Sequence, residues 1–74
     1  SGAAKETKER LLGAAVSALQ RRGVGALTLE AVAREAGVSK GGLLHHFPSK
    51  DALSEAVLRQ LFGDFERRTE AYYD

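Results

Sequence analysis

Cations and small polar residues lie close together in the middle of the chain. Ser39 and Lys40 begin one short segment, His45 and His46 end it, and Lys50 follows a Phe-Pro-Ser turn. Ammonium, imidazole and hydroxyl groups donate hydrogen bonds, so this set suits recognition of phosphate oxygens and base edges. Adjacent histidines point about 100° apart on a helix, which is a poor arrangement for chelating one metal ion. The pattern favours nucleic-acid binding or a solvated polar surface over metal chemistry.

The residue types needed for catalysis do not occur at useful spacings. We find no nucleophile with a base, no paired carboxylates and no phosphate loop, since Lys40-Gly41-Gly42 lacks the glycine pattern that precedes a P-loop lysine. The sequence contains no cysteine, which excludes disulfides and thiolate zinc sites and favours an intracellular protein. We therefore expect no enzyme, no cofactor and no metal.

Composition sets further limits on the fold and the partners. A chain of 74 residues, 43% hydrophobic and 28% charged, should form one small globular domain. No apolar run approaches the roughly 18 residues that a transmembrane helix needs, so we expect no membrane partner. The formal net charge is only +1, so any affinity for nucleic acid must come from the positions of the charges.

Hydrophobic periodicity predicts four helices and no strand, which makes the fold all-α. The first helix should cover residues 5–22 and end at Gly23 in a left-handed conformation. Its predicted buried face consists of Leu12, Ala15, Val16 and Leu19.

Three hydroxyl residues are predicted to begin the other helices. Thr28 is a candidate N-cap for the second helix, Ser39 for the third and Ser49 for the fourth, while Gly37 and Pro48 separate them. The apolar positions of the fourth helix are Leu53, Ala56, Val57, Leu61 and Phe65.

The middle of the chain fits a helix-turn-helix. Two short helices that cross steeply need a small residue at the crossing, here Ala33, and a glycine in the turn, here Gly37. Val38 and Leu43 would then face inward. In DNA-binding proteins the second helix of such a pair presents its first residues to the major groove, whereas an ordinary helical hairpin would have the same spacing.

A long stretch of residues makes the resemblance specific. Thr28-Leu29-Glu30-Ala31-Val32-Ala33-Arg34-Glu35-Ala36-Gly37-Val38-Ser39-Lys40-Gly41, followed by Phe47-Pro48-Ser49-Lys50-Asp51-Ala52-Leu53, resembles the N-terminal DNA-binding domain of TetR-family transcriptional regulators. The resemblance covers nearly the whole chain. It implies a homeodomain-like bundle of three helices and the start of a fourth.

The resemblance also implies partners and a division of the chain. Family members bind palindromic double-stranded DNA as homodimers, and a C-terminal domain dimerises and binds a small-molecule effector. The resemblance thus implies a repressor that is released from DNA by such an effector. We therefore expect a bacterial cytoplasmic protein with a disordered tail or cloning remnant at residues 1–4. The DNA-binding domain would cover residues 5–57, and residues 58–74 would continue helix four toward the effector and dimerisation domain.

Nine residues are predicted to contact DNA. Lys40 lies where it could reach a guanine edge or a phosphate, and the resemblance places Thr28 and Lys50 at phosphate contacts. Each has a simpler alternative as a helix cap or a solvated lysine. The complete set is Thr28, Ser39, Lys40, Gly41, Gly42, Leu44, His45, His46 and Lys50.

Two positions depart from the family pattern. Gly42 stands where threonine, serine or alanine is usual, and Leu44 replaces a tyrosine that usually contacts DNA. The glycine pair, Gly41 and Gly42, weakens the third helix or permits close approach to the duplex, and the sequence does not separate these readings. Leu44 would contact a thymine methyl or extend the core. Arg34 is read as a solvated partner of Glu30.

The sequence is also compatible with a second class of function. Apolar residues occupy more than one face of the last helix and could dock on another chain, which would make the domain a protein-interaction module. These residues are Leu58, Leu61, Phe62, Phe65, Tyr72 and Tyr73.

Overall fold

In the computed structural model, which describes residues 2–73 and the side chains of residues 2–63, four α-helices follow one another. They are α1 (Gly2–Arg22), α2 (Leu29–Ala36), α3 (Lys40–His46) and α4 (Lys50–Tyr73), with a short 3-10 helix, η1 (Val24–Ala26), between α1 and α2. The described residues contain no strand, and the predicted all-α fold is confirmed. None of the helices in this part of the chain is long and apolar enough to cross a bilayer.

Helix α1 lies at the centre of the bundle and contacts η1, α2, α3 and α4. It begins at Gly2, so residues 2–4, which were expected to belong to a tail, are helical. Ser1 lies outside the described residues. The fully buried stripe is Leu11, Ala15 and Ala18, so of the predicted apolar face only Ala15 is fully buried, while Leu12, Val16 and Leu19 are partly buried against the core.

The physical reason is that helices cover α1 on more than one side. The face that sequence periodicity selects is therefore only one edge of the surface that α1 buries against the other helices. Leu12, Val16 and Leu19 are half-buried and pack against the edge of the core.

The connection after α1 is more regular than the sequence suggests. Gly23 has φ 86° and ψ −177°, so its backbone is extended with positive φ, and the predicted left-handed helical conformation is wrong. The two Gly23 angles describe a region open essentially to glycine alone. The Gly23 carbonyl then accepts from the Ala26 N–H at 3.1 Å, which starts η1 and directs Leu27 into the core.

The turn between α2 and α3 is closed by two backbone hydrogen bonds. Gly37, the glycine predicted for the turn, adopts the left-handed conformation with φ 70° and ψ 31°. Its N–H donates to the Arg34 carbonyl at 3.2 Å, and the Val38 N–H donates to the Ala33 carbonyl at 2.9 Å. This pair of bonds is the Schellman arrangement, which satisfies the last carbonyls of α2 and fixes the direction in which α3 starts.

One apolar cluster joins every helix. Leu43 is the buried side chain of α3, and Phe47 is buried at the junction between α3 and α4. Leu53 and Val57 contribute the predicted inner face of α4, while Phe65 lies outside the described side chains. The cluster is Leu11, Ala15, Leu27, Val32, Ala33, Ala36, Leu43, Phe47, Leu53 and Val57.

Candidate nucleic-acid interface

Each of α2, α3 and α4 begins with a hydroxyl cap. The Thr28 Oγ1 accepts from the Ala31 N–H at 3.1 Å, and the Ser39 Oγ accepts from the Gly42 N–H at 3.0 Å. Ser49 caps α4 in the same way. These three predictions are confirmed. A hydroxyl that accepts from a backbone N–H still has its own proton to donate, so capping and phosphate binding are compatible at Thr28 and Ser39.

The ammonium of Lys40 is held by a carboxylate from the preceding helix. Its Nζ lies 2.8 Å from the Glu30 Oε2, and this ion pair joins the first turn of α2 to the first turn of α3. Both side chains remain more than half exposed. The interpretation of Arg34 as the partner of Glu30 is wrong, because the Glu30 carboxylate bonds to Lys40, which the crossing of the two helices brings within reach.

The electrostatics of Glu30 reflect that ion pair. The hydrogen bond from Lys40 lowers the pKa of the Glu30 carboxyl below its ordinary value of 4.5. A backbone hydrogen bond and the charge of Lys40 act in the same direction, and Arg34 adds a smaller effect. The first turn of α2 adds a favourable helix dipole for a negative charge. Glu30 is therefore ionised beside Lys40 at neutral pH.

The two glycines of α3 have different surroundings. A Cβ added to Gly42 would lie 2.9 Å from the Val38 Cγ1 and 3.2 Å from the Ser39 Oγ, so this glycine fits against the turn. A Cβ added to Gly41 would meet nothing within 4 Å. Internal packing accounts for Gly42 and leaves Gly41 unexplained within the domain. The two glycines, which the sequence treats as a pair, therefore differ in their surroundings.

The second half of α3 is divided between core and surface. Leu44 is half-buried and packs on the edge of the apolar cluster, as the core reading of this residue requires. His45 is exposed and His46 is half-buried, with their ring centroids 5.2 Å apart in an edge-to-face contact. Within the part of the chain that the structure describes, no group of three or more His, Cys, Asp or Glu residues could hold a metal ion.

The start of α4 carries a second cationic area. Lys50 is exposed in the first turn of the helix. Lys8, from α1, places its Nζ 5.9 Å from the centre of the Phe47 ring, close to the turn that leads to Lys50. The sequence did not indicate this position of Lys8, because only the packing of α1 against the α3–α4 junction brings it there. The contact between Glu30 and Lys40 likewise depends on how α2 and α3 cross.

Another recess lies between α1 and α4. Its lining consists of Glu9, Leu12, Gly13, Val16, Ser17, Gln20 and Gln60.

The outer face of α4 bears two exposed apolar side chains. Leu58 is 53% exposed and Phe62 is 63% exposed, and their spacing of four residues puts them on one side of the helix. Leu61 packs against the core edge instead. The side chains of Phe65, Tyr72 and Tyr73, which were grouped with them, lie outside the described residues.

Comparison with known proteins gives a consistent family. A family model described as "Bacterial regulatory proteins, tetR family" matches residues 11–57. The chain is 46% identical over 61 residues to the HTH-type transcriptional regulator RutR of Escherichia coli (strain K12), covering 82% of this chain and 29% of RutR. No solved structure matches the chain.

Other relatives carry related descriptions. The HTH-type transcriptional regulator BetI 2 of Chromohalobacter salexigens is 39% identical over 57 residues, covering 77% of this chain and 28% of that protein. The HTH-type transcriptional repressor KstR2 of Mycolicibacterium smegmatis is 38% identical over 64 residues, covering 81% and 31%. The chain thus spans less than a third of the length of these three relatives.

Proposed function

The chain belongs to the TetR family of bacterial regulatory proteins, and we propose that it is the DNA-binding part of a transcriptional regulator that inserts α3 into the major groove. The observation that carries this proposal is the geometry of α2 and α3. Two capped helices are joined by a closed glycine turn, and the second begins with an exposed lysine. A helix-turn-helix reads DNA with the first residues of its second helix.

The nine predicted residues would contribute to DNA binding in different ways. Thr28, Ser39 and Lys50 would bind phosphate oxygens with a hydroxyl or an ammonium group and so set the register of the domain on the duplex. Lys40 would reach a guanine edge or a phosphate, and Gly41 would allow the backbone of α3 to approach the groove. Gly42, in the first half of α3, and Leu44, His45 and His46, in its second half, are proposed as further contacts.

The proposal extends to the whole regulator. Relatives are named as transcriptional regulators and one as a repressor, which supports a repressor role for this protein too. We expect a homodimer on a palindromic operator in the bacterial cytoplasm, with half-sites about 34 to 36 Å apart or a multiple of that distance. A small-molecule effector would act through a further domain. The proposal involves binding only and no chemical step.

Fluorescence anisotropy with a short duplex of mixed sequence tests the proposal. We expect binding at low salt that weakens as salt is raised from about 50 to about 200 mM. Lys40→Gln and Lys50→Gln should each weaken binding. Lys50→Gln should also make the slope of log K against log salt less negative by about 0.9, the value for one phosphate contact.

Arg59→Gln is the matched control, because it removes the same charge about 13 Å further along α4. It should leave the slope unchanged. Absence of binding by the parent domain, or equal losses in all three variants, would contradict the proposal.

The exposed pair Leu58 and Phe62 favours one alternative, a protein-interaction module that uses the outer face of α4. For that function we expect Phe62→Ser to change the average molecular mass that sedimentation equilibrium measures, or to abolish capture of a partner protein. The affinity for DNA would be absent in the parent domain or unaffected by the substitution. The DNA-binding proposal predicts that Phe62→Ser leaves the salt slope of this domain intact.

A further inference from the structure

We propose that Glu30 is a built-in competitor of DNA for Lys40, so that Lys40 must exchange a carboxylate of its own protein for a phosphate when the domain binds. The inference rests on the proposed function and adds a residue that opposes binding. Its consequence is a lower affinity for DNA of arbitrary sequence than the cations of this surface would otherwise give.

The contact itself has no intrahelical explanation. Glu30 and Lys40 are ten residues apart and belong to different helices, yet their charged atoms lie 2.8 Å apart. The ion pair of Arg59 with Glu55, by comparison, is an ordinary contact of residues four apart on one helix. The Glu30–Lys40 contact exists because the Gly37 turn sets the first turns of α2 and α3 side by side.

The charges of the two residues have different local effects. A carboxylate suits the first turn of α2, since it meets the positive end of the helix dipole. An ammonium in the first turn of α3 opposes the dipole, so Lys40 is the residue whose position needs a partner. In the free domain that partner is Glu30.

Exposure makes exchange feasible. The Lys40 and Glu30 side chains are 55% and 60% exposed, and exposed ion pairs contribute little to stability. Phosphates of a duplex can therefore displace the carboxylate. Glu30 then loses the ammonium that neutralised it and takes up a cation from solution in its place, whereas in a variant without Lys40 it is neutralised by solution cations both before and after binding.

This uptake of a cation has a measurable signature. A lysine that binds phosphate normally releases one counterion from the DNA, which contributes about −0.9 to the salt slope. If Glu30 takes up a cation at the same moment, the two changes cancel. Lys40 should then add little to the salt slope of the parent domain and its full share only when Glu30 is neutral.

A double-mutant cycle with the same mixed-sequence duplex tests the inference. The proteins are the parent, Glu30→Gln, Lys40→Gln and the double variant, with Glu55→Gln as the control because it also opens an exposed ion pair. We expect Glu30→Gln to bind roughly twofold to fivefold more tightly at low salt, the range for an exposed pair. Its salt slope should be more negative by about 0.9.

The gain must depend on Lys40. In the Lys40→Gln background, replacing Glu30 should change neither affinity nor slope by a comparable amount, and Glu55→Gln should have no effect in either background. If Glu30→Gln tightens binding equally with and without Lys40, or if Glu55→Gln does the same, general charge repulsion is responsible and the inference is overturned.

The same data separate this inference from the proposed function. If the parent binds and Lys50→Gln flattens its slope, but Glu30→Gln binds no more tightly, only the competition is wrong. If the parent does not bind duplex DNA at low salt, both are wrong.

Discussion

The two glycines of α3 differ in whether packing inside the domain explains them. Gly41 has open space around its Cβ position, so Gly41→Ala should raise the unfolding free energy by about 0.5 to 1 kcal/mol through helix propensity. Gly42→Ala should not, because its methyl would meet the stiff side chain of Val38. Urea unfolding of both variants measures the difference, and equal stabilisation would contradict the packing assigned to Gly42.

The same pair of variants bears on DNA. If the backbone of α3 approaches the groove at Gly41, Gly41→Ala should weaken duplex binding even though the domain is more stable. Anisotropy titrations make the comparison, with the unfolding midpoint of each variant as its own control. A more stable domain that binds as well as the parent would show that Gly41 does not meet the DNA.

The ionisation of Glu30 is a direct test of its contact with Lys40. Because the pKa of this carboxyl is lowered in the folded domain, the pair stabilises the fold above the ordinary value of 4.5 and the contribution is lost as pH falls through the folded value. We expect the carboxyl carbon resonance of Glu30 to titrate below 4.5 and to move back toward 4.5 in Lys40→Gln. If the titration midpoint of Glu30 is unchanged in that variant, the ion pair between Glu30 and Lys40 does not form in solution.

Local rules explain why some of these residues could be predicted and Glu30 could not. Caps depend on a few consecutive residues, so Thr28, Ser39 and Ser49 were evident from the sequence. Arg34 is four residues from Glu30 and looked like its partner by the same local logic. Lys40 became the partner through the angle between two helices, which no local pattern specifies.

Among the elements, the α2–α3 turn has the strictest requirement. Gly37 has φ 70°, and an alanine there costs on the order of 1 to 2 kcal/mol. Gly37→Ala should therefore lower the urea midpoint, and Gly37→Asn should lower it less. Gly25→Ala is the control, since its added Cβ meets nothing within 4 Å. Equal effects at both positions would contradict the role of the turn.

Element boundaries followed the sequence where a capping residue was present and departed from it elsewhere. Helix α2 begins after Thr28 and ends before Gly37, as predicted. The conformation of Gly23 was wrong because several glycine conformations can end a helix, and the choice between them depends on where Leu27 must enter the core. The predicted face of α1 lies at the edge of the core and missed the fully buried Leu11 and Ala18, because periodicity gives a direction but not the number of neighbouring helices.

At the scale of the molecule, one small core holds the recognition helix in place. Leu43 is fully buried and is the core side chain of the seven-residue α3. Leu43→Ala should cost about 2 to 5 kcal/mol, while a core of this size supplies about 3 to 5 kcal/mol in total. We expect circular dichroism to show a largely unfolded domain. Leu58→Ala, at an exposed position, is the control and should keep the parent's melting curve.

The all-α fold and the central motif were predictable because each helix carries its own boundary signals and the TetR-like stretch is long. The nine site residues were chosen by resemblance and remain a prediction. What packing adds is a division among them: Gly42 and Leu44 have contacts inside the domain, whereas Lys50 and His45 are exposed. Lys8 and Glu30 are brought near these residues only by the packing of the helices.

We propose that the surface formed by the starts of α2, α3 and α4 binds duplex DNA. Backbone amide spectra of the labelled domain, recorded during titration with a short mixed-sequence duplex at low salt, test it most directly. We expect shifts that cluster at Thr28, at residues 39–46 and at Lys50. Shifts that are absent, or that follow α4 from Leu58 onward, would contradict it.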